Sequence, residues 1–163
     1  MSLRLASRVA CAAVAALGLT VLPARAQIGS DRYSAIILDH RTGAALVAAS
    51  ADETRFPASL TKMMTLYMVF EQVRAGRLSL ASPIVMSDEA ASRPPSKLGV
   101  PAGQSITVEQ AILALVTRSA NDVAAAVGER IGGSEARFAQ MMTTRARSLG
   151  MTRTTFRNAS GLP

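Results

Sequence analysis

The 163-residue chain has few of the side chains on which metal sites and histidine-dependent hydrolases rely. It contains one histidine, one cysteine and no tryptophan. The single cysteine, Cys11, excludes an internal disulfide, and one histidine without cysteine partners excludes the usual zinc-ligand spacings. His40 falls within the turn-forming residues 39–43, far from any strong serine candidate. We therefore expect a solvated turn residue and not the base of a Ser-His-Asp triad. There is also no glycine-rich phosphate loop, so the sequence predicts neither a metal nor a nucleotide cofactor.

Lysine is scarce as well, although the chain is basic. Sixteen of the eighteen basic residues are arginine, and only Lys62 and Lys97 are lysine. A guanidinium stays protonated in proteins, whereas a buried ammonium can lose its proton. A lysine at position 62 is therefore compatible with a role as a base, and the alternative is a solvated charge near the start of a helix.

Residues 1–26 have the order of a secretory signal peptide. Arg4 and Arg8 precede the apolar stretch 9–22, and a small-x-small sequence ends at Ala26. The apolar stretch is short for a membrane-spanning helix, and no other anchoring segment is apparent. We expect cleavage after Ala26, with an uncleaved anchor as the alternative. Residues 27–163 would then hold fifteen basic and eleven acidic residues, a net charge of +4 without a basic run, which does not predict nucleic-acid binding.

Apolar periodicity and turn residues predict an α+β organisation. Two apolar runs around a turn predict a hairpin, and a stretch without Pro or Gly before Gly76 predicts a long helix. Because this helix is apolar on most sides, we expect it to be buried centrally. Prolines and glycines predict mainly loop after it. Three further helices follow, the first opened by a Thr-x-x-Gln capping box and the last capped by Ser134. The predicted ranges are 33–38 and 44–49 for the strands, 59–75, 107–118, 122–131 and 134–149 for the helices, 78–103 for the loop, and 151–163 for an irregular end.

Ser59 and Lys62 are the strongest candidates for chemistry. Their spacing of three residues places both side chains on one face of a helix. At the first turn of that helix, free N–H groups favour a developing oxyanion, and the apolar neighbours of Lys62 disfavour a charged ammonium. A second pattern, Ser119-x-Asn121, stands at the end of another predicted helix, where a purely structural capping role is the alternative. Together the two patterns favour acyl transfer by a serine nucleophile.

Three stretches, PASLTKMMT, RSANDVAAAVGE and TTFRNASGLP, resemble the low-molecular-mass penicillin-binding proteins, specifically the secreted serine D-alanyl-D-alanine carboxypeptidases. The resemblance implies an α+β fold of the serine β-lactamase/DD-peptidase type, an α/β sandwich with helices on a central antiparallel sheet, without a cofactor. Ser59 would be the acylated nucleophile, Lys62 its base, Ser119 a proton relay and Asn121 a substrate-binding residue. The implied partners are peptidoglycan stem peptides as substrate and β-lactam antibiotics as inhibitors. The implied location is the bacterial periplasm or the outer face of the cytoplasmic membrane.

One element of that family is missing from the 163 residues. A Lys-Thr-Gly sequence is absent, since Lys97 is followed by Leu98 and Gly99. We therefore expect residues 27–163 to be a partial DD-peptidase domain without its C-terminal sheet strands, weakly active or inactive by itself. Two alternatives stay open. One is a serine β-lactamase. One branch of these enzymes resembles this chain but uses a glutamate after the Ser-x-Asn element for deacylation, and the last acid in this sequence is Glu135, within a predicted helix. The other alternative is a non-catalytic wall-binding module.

Overall fold

The computed structural model describes residues 33–163, which divide between two compact units, one that ends at Glu53 and one that comprises Thr54–Pro163. The predicted signal peptide, residues 1–26, lies outside the described residues. Within the described residues, no helix combines the length and the apolar character needed to cross a membrane.

The first unit contains the predicted hairpin. Strands β1 (Ala35–Leu38) and β2 (Ala45–Ala49) pair antiparallel, with Ala35 opposite Ala49. In the turn, a carboxylate oxygen of Asp39 accepts hydrogen bonds from the backbone N and the hydroxyl of Thr42, both at 2.7 Å. These bonds lower the pKa of Asp39. His40 is exposed in this turn, as expected.

The second unit is mainly helical. A single 3₁₀ turn, Ala58–Leu60, leads into the first of five helices, and two short strands form an antiparallel pair. In chain order the elements are α1 (Thr61–Arg74), β3 (Pro83–Val85), α2 (Asp88–Ser92), β4 (Ser105–Thr107), α3 (Val108–Arg118), α4 (Asn121–Gly132) and α5 (Glu135–Ser148).

Helix α4 is the enclosed helix of this unit. Its residues 121–128 are all buried, and it packs against α1, α2, α3, α5 and β3. The small side chains of its Ala-rich sequence allow neighbours to approach closely on several sides. The sequence predicted instead that the helix over 59–75 is apolar on most sides and buried. That prediction is wrong in part, because α1 buries one face while Met63 and Phe70 are 67% and 52% exposed.

The loop predicted over 78–103 contains more regular structure than expected. Strand β3 pairs with β4, which places Ile84 opposite Ile106, and Ser87 caps α2 by accepting a hydrogen bond from the N–H of Ala90. Three-residue strands are too short to show a period of two. Pro83 is tolerated because it is the first residue of its strand.

The predicted helix signals elsewhere are confirmed. Thr107 and Gln110 form the reciprocal capping box at the start of α3, and the Ser134 hydroxyl caps α5. Gly76, with a φ of 69°, follows the end of α1. Residues 151–163 are irregular, as predicted.

Candidate active site

Ser59 and Lys62 are brought together at the start of α1. Ser59 lies in the 3₁₀ turn that precedes the α-helix, and its side chain is exposed. Lys62 Nζ donates a hydrogen bond of 3.3 Å to Ser59 Oγ. The residue before the serine, Ala58, has a φ of +48°, a left-handed conformation that is costly for a residue with a side chain. The hydroxyl of Ser59 is therefore exposed to solvent while the amine of Lys62 lies within hydrogen-bond distance of it.

Lys62 occupies an environment that favours its neutral form. The residue is only 3% exposed, and burial lowers the pKa of its ammonium group. Among residues 33–163, no carboxylate forms an ion pair with it. Its second hydrogen bond, of 2.8 Å, goes to the carbonyl oxygen of Ser160. A neutral amine at this position can accept the proton of the Ser59 hydroxyl.

The carbonyl that receives Lys62 belongs to a tight loop, residues 158–161, which we call the NASG loop after its sequence. Asn158 Oδ1 accepts hydrogen bonds from the backbone N–H groups of Ser160 (3.2 Å) and Gly161 (2.7 Å). Its Nδ2 donates to the carbonyl of Leu162 at 2.7 Å. The Thr65 hydroxyl on α1 donates to the carbonyl of Ala159 at 2.7 Å, which ties the loop to the helix that carries Lys62. The sequence predicts an irregular segment here but not its place in the site. The Asn and Gly indicate a turn, and only the fold shows what the turn contacts.

Glu135, the first residue of α5, holds the same loop from another side. Its Oε1 accepts a hydrogen bond of 3.0 Å from the N–H of Ala159, and its Oε2 pairs with Arg93 at 2.5 Å. Arg93 also pairs with Glu89 at 2.7 Å. Both oxygens of the Glu135 carboxylate are therefore occupied by structural partners.

Ser119 and Asn121 flank the junction between α3 and α4. Ser119 has left-handed backbone angles (φ 53°, ψ 39°) and ends α3. Asn121 is 4% exposed, and its Nδ2 donates a hydrogen bond of 3.0 Å to the carbonyl of Pro94. Within the described part of the chain, no hydrogen bond joins either residue to Ser59 or Lys62. No side-chain hydrogen bond caps the start of α4, so the capping role that the sequence left open for Asn121 is not seen, and its amide instead holds the neighbouring loop.

The neighbouring loop, residues 94–99, is fixed by a residue that the sequence analysis did not single out. The side chain of Asp122 is buried and accepts hydrogen bonds of 2.9 Å from the N–H groups of Leu98 and Gly99. Lys97, the second lysine, donates to the carbonyl of Ala91 at 3.2 Å. An acid directly after Ser-x-Asn, at a helix start, is the sequence signal that could have indicated this support. In the described range 33–163, no three His, Cys, Asp or Glu side chains are grouped as metal ligands.

The family model for D-alanyl-D-alanine carboxypeptidase matches residues 21–163. The chain belongs to this family. It is 31% identical over 136 residues to D-alanyl-D-alanine carboxypeptidase DacF of Bacillus subtilis (strain 168), covering 83% of this chain and 35% of that protein. The chain thus spans about a third of the length of that relative. This confirms the resemblance that the three sequence stretches indicated.

Two solved structures show the same fold. The D-alanyl-D-alanine carboxypeptidase DacD from Francisella tularensis superposes with a TM-score of 0.79 at 38% identity, over 85% of this chain and 33% of that one. Penicillin-binding protein D2 from Listeria monocytogenes, in its cefotaxime-bound form, superposes with a TM-score of 0.69 at 33% identity, over 80% of this chain and 52% of that one. The expected DD-peptidase-like α+β fold is therefore confirmed.

Proposed function

We propose that the protein carrying this chain is a serine D-alanyl-D-alanine carboxypeptidase that removes the terminal D-alanine from peptidoglycan stem peptides. The observation that carries the proposal is the buried amine of Lys62, 3.3 Å from the exposed hydroxyl of Ser59 and without a carboxylate partner among residues 33–163. Membership of the carboxypeptidase family supports the substrate class.

In the proposed acylation step, neutral Lys62 takes the proton of the Ser59 hydroxyl while Oγ attacks the carbonyl carbon of the penultimate D-alanine. The C–N bond then breaks, and the leaving amine of the terminal D-alanine receives a proton. Ser119 is proposed to relay that proton. Water hydrolyses the resulting ester, which returns Ser59 to its hydroxyl form.

Asn121 is proposed to hold the amide backbone of the substrate. Its Nδ2 is hydrogen-bonded to Pro94, so the group it would offer to a substrate N–H is the carbonyl oxygen Oδ1. The same contact to Pro94 fixes the orientation of the amide before substrate arrives, which reduces the entropy cost of binding.

The alternative of a β-lactamase that uses a glutamate for deacylation is less well supported. Glu135 lies next to the NASG loop, but its two oxygens already bond to Ala159 and Arg93, so the carboxylate is engaged in structural contacts. A non-catalytic wall-binding module gives no reason to bury an amine beside an exposed hydroxyl, since burial of a charged group is costly.

The remaining features of the proposal follow the family. β-Lactams would acylate Ser59 and act as inhibitors, and the cefotaxime-bound relative supports this ligand class. We also propose that residues 1–26 are a signal peptide, that residues 27–163 are part of the DD-peptidase domain, and that the protein works in the periplasm or at the outer face of the cytoplasmic membrane. N-terminal sequencing of the exported protein should then begin at Gln27, and a sequence beginning at Met1 would contradict cleavage.

The chemistry is tested by incubating the protein with a fluorescent penicillin and mapping the labelled peptide. We expect a stoichiometric adduct on Ser59 and release of D-alanine from a peptide that ends in D-Ala-D-Ala. Ser59→Ala should abolish both signals, whereas Ser92→Ala, which changes another exposed serine, should leave both unchanged. An adduct on a different serine, or labelling that survives Ser59→Ala, would overturn the proposal.

A further inference from the structure

We propose that Asn158 is a positioning residue for both members of the Ser59–Lys62 pair. Its side chain folds the NASG loop so that the Ser160 carbonyl meets Lys62 Nζ while Gly161 lies against Ala58, the residue before Ser59. This inference rests on the proposed acylation of Ser59.

Thr65 and Glu135 hold the NASG loop from outside, and within the loop the side chain of Asn158 makes most of the hydrogen bonds. Asn158 makes four hydrogen bonds: Oδ1 accepts from the N–H groups of Ser160 and Gly161 and from the Ser160 hydroxyl, and Nδ2 donates to the carbonyl of Leu162. All four involve the next four residues and three of them involve backbone groups, so the side chain acts as the frame of an Asx-type turn. None goes to Ser59 or Lys62, which means that Asn158 acts through the backbone it folds.

The first consequence of this turn is a fixed hydrogen-bond acceptor for Lys62. A lysine side chain has four flexible carbon–carbon bonds, so its amine needs an anchor to stay in one orientation. The Ser160 carbonyl holds one N–H at 2.8 Å, and the amine then keeps its remaining contact with Ser59 Oγ at 3.3 Å. Proton transfer depends steeply on this orientation, because a misplacement of about 1 Å can cost roughly 10²-fold in rate.

The second consequence is support for the 3₁₀ turn that carries Ser59. Gly161, with a φ of 81°, approaches so closely that an added Cβ would lie 1.9 Å from the carbonyl oxygen of Ala58. Ala58 itself holds a left-handed φ of +48°, which persists only where the surroundings enforce it. One asparagine thus sets the backbone that contacts the nucleophile turn and the backbone that contacts the base.

The test compares Asn158→Ala, Asn158→Ser and Thr107→Ala in the protein carrying this chain. Asn158→Ser keeps an oxygen that can accept from the loop backbone, although it folds the turn more weakly. Thr107→Ala is the matched control, since it also removes a side-chain acceptor of a backbone N–H, at the start of α3. For each variant, the first-order acylation rate constant and the non-covalent dissociation constant of penicillin are measured separately, together with the thermal midpoint and the final labelling stoichiometry.

We expect Asn158→Ala to lower the acylation rate constant by roughly 10- to 100-fold while the dissociation constant stays close to that of the wild type. Asn158→Ser should give a rate between the two, and it decides the question if Asn158→Ala does not fold. Thr107→Ala should lower the thermal midpoint without changing the rate constant. Acylation of folded Asn158→Ala or Asn158→Ser at the wild-type rate would overturn the inference alone. Failure of the wild-type protein to form a Ser59 adduct would overturn the proposed function, and the inference with it.

Discussion

Gly161 and Ala58 meet backbone to backbone, and both have left-handed φ angles, of 81° and 48°. A Cβ on Gly161 would lie 1.9 Å from the carbonyl oxygen of Ala58 and 2.7 Å from the hydroxyl oxygen Oγ1 of Thr61. These distances leave no room for a side chain, so the residue between Ser160 and Leu162 must be glycine. The contact joins two segments a hundred residues apart in sequence at the point where the nucleophile turn begins.

Gly161→Ala should therefore destabilise the protein more than backbone conformation alone explains. Gly103 is a matched control, because its φ of 80° is nearly the same and nothing lies within 4 Å of an added Cβ. We expect Gly103→Ala to cost ~1–2 kcal/mol of unfolding free energy through strain, and Gly161→Ala to cost a further ~1–3 kcal/mol through overpacking. Denaturant unfolding measures both values. Equal losses in the two variants would show that the NASG loop can move away from Ala58 at no cost.

Lys62→Arg should abolish acylation in a protein that still folds. The arginine has a long stem like that of lysine, but it is permanently charged and cannot lose its proton to serve as a base. Loss of a general base lowers rates by on the order of 10²–10⁴-fold. Fluorescent-penicillin labelling gives the rate, and circular dichroism checks the fold. Lys97→Arg is the control, because the hydrogen bond of Lys97 goes to the carbonyl of Ala91 and not to Ser59, and it should label normally. If Lys62→Arg is acylated at the wild-type rate, the lysine has a structural role and the proposed base is wrong.

The sequence predicted the local parts of this fold well. Capping residues such as Thr107 and Ser134 form hydrogen bonds with backbone groups a few positions away, so their effect can be predicted from the neighbouring residues in the sequence. The pairing of Ser59 with Lys62 is local for the same reason, since both lie within one turn of each other. Family resemblance then predicted the fold, which the solved relatives confirm, and it gave Ser119 and Asn121 roles that stay predictions.

The parts that sequence reasoning missed depend on contacts between distant segments. Ser160 lies 98 residues from Lys62 along the chain, and Asp122 lies 24 residues from Leu98. In both cases one partner is a backbone group, which carries no side-chain signature in the sequence. The same limit explains why α4 and not α1 is the enclosed helix, because burial depends on how many neighbours pack around an element and not on its own hydrophobicity alone.

The lowered pKa of Lys62 predicts a specific pH dependence of stability. Burial places the folded-state pKa below the unfolded value of about 10.5. Between those two values the unfolded chain binds more protons than the folded protein, so the free energy of unfolding rises with pH in that window. Below the folded pKa both states are protonated, and the cost of burying the ammonium is fully present.

Lys62→Met removes this titration while it keeps an unbranched stem. The difference in unfolding free energy between wild type and Lys62→Met should therefore grow in favour of the wild type as pH rises toward 10.5. Other titrating groups are common to both proteins and cancel in the difference. Urea unfolding at a series of pH values measures it, and a difference that is constant with pH would contradict a lowered pKa at Lys62.

Asp122→Ala should weaken both the fold and penicillin binding, because this buried carboxylate connects α4 to the loop beside Asn121. Its oxygens accept from the N–H groups of Leu98 and Gly99, and removal leaves those donors without a partner in a partly buried place. We expect a loss of roughly 2–4 kcal/mol in unfolding free energy, since hydrogen bonds to a charged group are worth more than neutral ones.

The matched control for that loss is Asp88→Ala, which removes an exposed acid from the first turn of α2. It should cost no more than about 0.3–1 kcal/mol, the usual size of an exposed charge–dipole interaction. Asp122→Asn should fall between, because one oxygen still accepts while the new NH₂ group faces a backbone donor.

The loop that is released when Asp122 is replaced by alanine includes Pro94, whose carbonyl orients the Asn121 amide. The non-covalent dissociation constant for penicillin should therefore rise in Asp122→Ala, and a protein that is destabilised but binds penicillin as the wild type does would show that Asn121 keeps its orientation without this loop.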